Sequence, residues 1–111
     1  MTLKANLVID QGADFSATID VIDADGNAFD LSNYTAAAQM RKSYASETAY
    51  DFTASDNGVS GQITLTMSNS TTNTIDPGRY LYDVEITLSG GNVIRVVEGI
   101  VTVTPGITRA A

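Results

Sequence analysis

Cysteine, histidine and tryptophan are absent from this 111-residue sequence. Without cysteine there are no disulfides and no thiolate metal sites. Without histidine the chain lacks the commonest general base, the commonest metal ligand and the usual physiological-pH switch. Without tryptophan it lacks the largest aromatic stacking face for a sugar ring. Basic residues are also scarce: six lysines and arginines stand against thirteen aspartates and glutamates, a net charge of −7. Lys4, Arg41, Lys42, Arg79, Arg95 and Arg109 are scattered apart from one adjacent pair. Such a field repels duplex DNA and anionic membranes, so neither nucleic acid nor membrane is an expected partner. No apolar run approaches the roughly 20 residues of a membrane-spanning helix. The apolar run of "MTLKANLVIDQG" meets Asp10 too early for a signal sequence. The expectation is a soluble protein made in a cytoplasm.

What the sequence does have is alternation. The length suits a single domain, 1–111, with a core that needs no staples. Phe15, Ala17, Ile19 and Val21 share one phase, with Ser16, Thr18 and Asp20 in the other. Ala36, Ala38 and Met40 form a second set, and Ile63, Leu65 and Met67 a third. The longest runs through Tyr80, Tyr82, Val84, Ile86 and Leu88, interleaved with Arg79, Asp83, Glu85 and Thr87. Period two over that length predicts strands with one face buried. Leu81 is the apolar exception on the outer face. Turn signals separate the runs: Asp25-Gly26 in "DADGN", the cluster "DNGVSG" and the link "SGGN". "SNSTTNTID" has room for one helical turn with Ser68 as its cap. Seven or eight short strands with tight turns predict an all-β, antiparallel, immunoglobulin-like β-sandwich.

The "SGGN" link permits a register argument. A two-residue Gly90-Gly91 loop would place Asp83 opposite Glu98 and Ile86 opposite Arg95. A three-residue loop, Ser89–Gly91, instead places Ile86 opposite Ile94, Val84 opposite Val96 and Glu85 opposite Arg95. Opposite charges across a pair contribute about 0.2–1 kcal/mol and like charges destabilise, so the second register is expected. The apolar phase then shifts to Val101 and Val103, and Gly99 is the expected bulge. This register puts Glu98 on the apolar face opposite Tyr82.

Chemistry is harder to find. Asp23, Asp25 and Asn27 resemble the start of a calcium loop, but position twelve from Asp23 is Tyr34 rather than a bidentate glutamate. A hairpin turn is the preferred reading, with Asp30 close enough to leave a weak surface ion site open. Glu98 has no second carboxylate to complete a glycosidase pair. The serines and threonines lack an activating base, and no glycine-rich loop precedes a helix. No catalytic residue, metal ligand or cofactor site is expected, and the chain reads as a non-enzyme.

The order of elements carries a resemblance. "IDQGADFSATIDVIDADGNAFDLSNYTAAAQMRK", "GQITLTMSNSTTNTIDPGRYLYDVEIT" and "VIRVVEGIVTVTPGITR" together resemble small β-sandwich virion proteins of tailed bacteriophages. They are similar to the N-terminal domain of phage baseplate upper proteins. The Asp-Gly hairpin before "DLSNYT", the "MRK" strand end and "PGRYLYDVEI" carry it, over roughly residues 6–109. The resemblance implies a structural protein of the virion, at the tail, baseplate, neck or head surface. It would act through contacts with other virion proteins, or as a homo-oligomer. Tyr44, Tyr50, Leu81, Ile107 and Arg109 are the expected contact residues: exposed tyrosines, an apolar side chain on a polar face, and a tail that leaves the last strand. The alternative is a carbohydrate-binding module for host-surface glycans, using exposed tyrosines with Asp and Asn. A calcium-stabilised adhesion module is a third option.

Overall fold

The computed structural model describes residues 3–23, 25–43, 45–56 and 58–106. Eight strands follow in chain order: β1 (Leu3–Lys4), β2 (Leu7–Asp10), β3 (Phe15–Asp20), β4 (Tyr34–Arg41), β5 (Ala49–Asp56), β6 (Gln62–Met67), β7 (Gly78–Leu88) and β8 (Val93–Thr104). One helical turn, α1 (Asn69–Thr72), lies between β6 and β7. The sheet order is β1-β8-β7-β4-β5-β6-β3, with β2 also pairing with β8.

The sheet is mixed. β1 and β2 run parallel to β8, pairing Leu3 with Val97 and Leu7 with Val101. An antiparallel sheet throughout is therefore corrected: parallel pairing needs only that the N-terminal strand return along the far edge of β8. The other pairs are antiparallel.

The curl arises in β5. Its residues Ala49–Phe52 pair with β4, while Thr53–Asp56 pair with β6. One strand thus serves both halves of the sheet. The alternating faces then meet in one core containing Ile9, Leu31, Met40, Ile63, Leu65, Val84, Ile86, Val97 and Val101. The rings of Phe15, Phe52 and Tyr82 pack in sequence through it, with centroids 5.8 and 6.2 Å apart. Removing such apolar surface from water is the main stabilising term, at about 25 cal/mol per Å².

The hairpin of β7 and β8 follows the expected register only at its tip. Ile86 faces Ile94 and Glu85 faces Arg95. The loop is Ser89–Gly91, closed by Gly91 N–H donating to the Leu88 carbonyl at 2.7 Å. Gly91 has φ +100°, a conformation that only glycine adopts readily. Beyond that, Val84 pairs with Val97, not Val96. The bulge therefore lies at Val96, three residues before the expected Gly99. Both valines are buried, so the extra residue is accommodated without exposing an apolar side chain.

This shift corrects Glu98 as well. It faces Asp83 on the outer surface, and Gly99 takes the place opposite Tyr82. The like-charged pair is neutralised by its surroundings. Arg95 reaches Asp83 at 3.3 Å and Glu98 at 4.0 Å, and Lys4 reaches Glu98 at 3.7 Å.

Gly99 has a different purpose. A Cβ there would overlap the Ala5 carbonyl oxygen and lie 2.8 Å from its carbon. The chain between β1 and β2 crosses directly over it. Tyr82 Oη donates to that same carbonyl at 2.6 Å, and Ile100 N–H donates to Asn6 Oδ1 at 3.1 Å.

The helical turn forms where expected but with another cap. The Ser68 side chain makes no capping bond. Asp14 Oδ1 instead accepts from Asn69 N–H at 2.7 Å. Buried Thr72 ties the turn to the β2–β3 connection: its hydroxyl donates to the Ala13 carbonyl at 2.8 Å and accepts from Gly12 N–H at 3.1 Å.

Candidate interaction surface

Strand register decides which side chains share the outer face of β4, β7, β8 and β2, because directly paired residues point the same way. Arg41 pairs with Leu81, and Leu81 with Ile100. Two residues along the strands, Arg79 pairs with Thr102, and Thr102 with Val8. The result is a block two rows deep: Arg41, Leu81 and Ile100, then Arg79, Thr102 and Val8. Val8 is 61% exposed and Ile100 38%. Three apolar side chains thus lie beside two arginines on an open sheet face.

Neither arginine has a carboxylate partner among the described residues. Arg41 donates to the Ser46 carbonyl at 2.6 Å and to Gln39 Oε1 at 3.3 Å. Those bonds fix its guanidinium over the sheet without neutralising it. Lys42, on the opposite face, stands 4.8 Å above the Tyr80 ring. A shallow groove of about 310 Å³ continues from Arg41 and Leu81 toward Asp83, Glu85, Arg95 and Glu98. Its charges are mixed and its wall is open, so it suits side chains of a partner protein better than an enclosed small molecule.

Leu81 is the expected contact residue that the structure places at the centre of this surface. Tyr50 is not part of it. It pairs with Met40 on the inner face, and its ring meets Tyr80 edge-on at 6.1 Å. An inward neighbour in β4 turns it toward the core, against which it packs half-buried. Tyr44, Ile107 and Arg109 lie outside the described residues. Val8 and Ile100 went unrecognised in the sequence. Each stands in the polar phase of its own strand, the same signal that marks Leu81.

Two tyrosine hydroxyls, those of Tyr80 and Tyr82, serve the fold. Tyr80 Oη donates to the Asp76 carbonyl at 2.7 Å, and burial, then Tyr50 and Asp76, raise its pKa. Burial pushes Tyr82 up to about 12. Among the described aromatic side chains, Phe52, Tyr80 and Tyr82 are buried and Phe15, Phe29, Tyr34 and Tyr50 half-buried.

Asp23 fastens the "DADGN" hairpin. Asp23 Oδ1 accepts the Asp25 and Asn27 amides at 2.9 and 3.0 Å, fixing the turn. Asp30 binds the hydroxyl and amide of Ser32, at 2.6 and 3.0 Å. Those bonds, the hydroxyl first, hold its carboxyl below the usual value. Among the described residues no three acidic side chains converge as a metal site.

No protein-family model matches the chain, and no curated protein does. Solved structures do match it. One is a Listeria monocytogenes internalin-like protein, at 17% identity and a TM-score of 0.48. The match covers 93% of this chain, which spans 28% of that one.

Proposed function

We propose that the chain is a non-enzymatic structural and assembly protein of a bacteriophage particle, acting through protein–protein contacts at the tail, baseplate, neck or head surface. The observation that carries the contact reading is the outer block of Leu81, Ile100 and Val8 beside Arg41 and Arg79. Apolar side chains grouped on an open sheet face with arginines that meet no carboxylate among the described residues have the make-up of an interface core and rim, in which arginine is enriched. The phage setting rests on the sequence resemblance.

We also read the curled sheet as an immunoglobulin-like arrangement of two layers. Three features support that reading: β5 divides its pairing between the two halves, a helical turn precedes β7, and Tyr80 at the start of β7 bonds the backbone four residues upstream. The last feature has the form of a tyrosine corner.

The test is to locate the protein in purified particles of the phage that encodes it. Mass spectrometry should detect it at a fixed copy number, and labelled microscopy should place it at one site. Particles that lack it would overturn the proposal.

A further inference from the structure

The sheet ends at β3, which pairs with β6 on one side and with no described strand on the other. The edge at the far end of the strand order is short and broken, with Ala5 and Asn6 interrupting it between β1 and β2. β3 is continuous: Phe15–Asp20 pairs with β6 over its whole length without a bulge. It has no proline, no lysine and no inward-pointing charge, the devices that commonly blunt an edge, and Asp20 at its end is its one charged residue. Phe15, Ala17 and Ile19 on its inner face stay half-buried, while Met67, Leu65 and Ile63, directly opposite them on β6, are buried. The inner row is thus open on this side.

Hydrogen bonds show which backbone groups face outward. Val21 N–H donates to the Gly61 carbonyl at 2.7 Å, one pair beyond Asp20 and Gln62. Backbone direction alternates along a strand, so Ile19, Ala17 and Phe15 also turn their N–H and C=O toward β6, and Asp20, Thr18 and Ser16 turn theirs away. The Thr18 and Thr64 hydroxyls meet at 3.2 Å, as the close side chains of a non-hydrogen-bonded pair do. The return arm of the "DADGN" hairpin leaves this edge clear: Phe29 N–H donates to the Val21 carbonyl on the side of Gly61, against which Phe29 packs.

We infer that this edge pairs with the same edge of a second copy, antiparallel, with Thr18 on the twofold axis. Thr18 then faces itself and Ser16 faces Asp20 of the second copy. Every outward N–H meets an outward C=O, and each facing pair exchanges two hydrogen bonds. The side chains agree with that register. On the inner face Ala17 meets Ile19 and Phe15 meets Val21; on the outer face Asp14 meets Ile22, and no two carboxylates are opposed. Placing Ala17 on the axis instead would set Asp14 against Asp20, and placing Ile19 there would set Asp23 against the Phe15 ring. Opposed like charges destabilise, and a slip by a single residue would put inner side chains against outer ones. The edge is therefore complementary to itself in one register. The contact is isologous and closes as a dimer. The inference rests on the assembly reading above in naming a second copy as one partner, but it is tested in solution, without particles.

The experiment is sedimentation velocity on the purified chain at about 0.15 M salt, where a Debye length of about 8 Å screens the net charge of −7. One strand edge is at the small end of interfaces, so the wild type should dimerise weakly, over about 0.1 to 1 mM. Thr18→Pro should stay monomeric over the same range. It deletes a donor that points away from β6, a place where an edge strand accepts proline. The absence of cysteine allows a test of register that disrupts nothing. Thr18→Cys should cross-link under mild oxidation, because facing Cα atoms stand about 5.5 Å apart, within disulfide reach. Ser16→Cys should cross-link only by chance collision, since its two copies lie about 14 Å apart along the strands. Circular dichroism checks that each variant is folded, and the two cysteine variants decide if Thr18→Pro is not. A wild type that is monomeric at about 1 mM would overturn the proposal. So would a dimer that survives Thr18→Pro, or equal cross-linking of Thr18→Cys and Ser16→Cys. Failure here with the protein still present in particles would remove this contact and leave the virion reading standing.

Discussion

Replacing Gly99 with alanine tests how the N-terminal strand is attached. The added methyl group would overlap the Ala5 carbonyl, a backbone atom that cannot rotate away. The segment between β1 and β2 must therefore lift off β8. Three hydrogen bonds depend on its present position: Tyr82 Oη to the Ala5 carbonyl at 2.6 Å, Ala5 N–H to the Glu98 carbonyl at 3.0 Å, and Ile100 N–H to Asn6 Oδ1 at 3.1 Å. A net hydrogen bond contributes about 1 kcal/mol, so losing all three destabilises by about 3 kcal/mol. For a domain of this size that lowers Tm by on the order of 10–20 °C.

Urea unfolding followed by tyrosine fluorescence and by circular dichroism would measure the loss. Gly90→Ala is the control, because a Cβ there meets nothing within 4 Å. It should shift stability by no more than about 0.5 kcal/mol. A second readout is specific to the contact: the Tyr82 phenol, raised to about 12, should move back toward its ordinary 10.0 in Gly99→Ala as water reaches it. Equal unfolding midpoints for Gly99→Ala and Gly90→Ala would refute the reasoning.

The same phenol predicts alkaline behaviour in the unmodified protein. Its folded pKa lies above the unfolded one, so its contribution is intact below pH 10 and is lost as pH rises through about 12; a stability profile by urea titration should decline across that window. Thr72→Val keeps the shape of the side chain but orphans the Ala13 carbonyl and the Gly12 amide, and should destabilise by about 1–3 kcal/mol in the same assay. Asp14→Ala removes the bond to the first amide of α1 and should lower stability by about 0.5–2 kcal/mol, the usual range for a lost cap. Ser68→Ala should change stability by less than about 0.5 kcal/mol, since its hydroxyl caps nothing; thermal melts of the pair would separate them.

How far the sequence reveals this molecule depends on the range over which each feature is encoded. The tip of the β7–β8 hairpin is readable because its evidence is local: a glycine pair, facing isoleucines, and Glu85 opposite Arg95. The bulge three residues on is hidden, because adjacent Val96 and Val97 are both apolar and carry no phase. Rejecting an Asp83–Glu98 pair assumed that only those two charges met. Lys4 enters from the far edge of the sheet, and Arg95 leans across from the bulge, and neither is visible to pairwise reasoning along one hairpin. The helix cap fails in the same way, since Asp14 arrives from 55 residues away to displace the adjacent Ser68.

The candidate surface was partly visible for the opposite reason. Leu81 breaks a local alternation, and a broken rule with no structural benefit in its own strand points to a use outside the fold. Ile100 and Val8 break it too, but β8 changes phase at an unseen bulge and β2 is only four residues long. Only the pairing of β7 with β8, and of β8 with β2, turns three separate exceptions into one surface. Val93, 57% exposed opposite Thr87 in the same outer phase, is a further exception that stands apart from these three. Triple substitution of Leu81, Ile100 and Val8 by threonine, which suits an exposed strand, should leave the fold within about 1 kcal/mol of its stability while removing the protein from purified particles. Loss of the fold in the triple variant would show instead that these side chains serve the sheet itself.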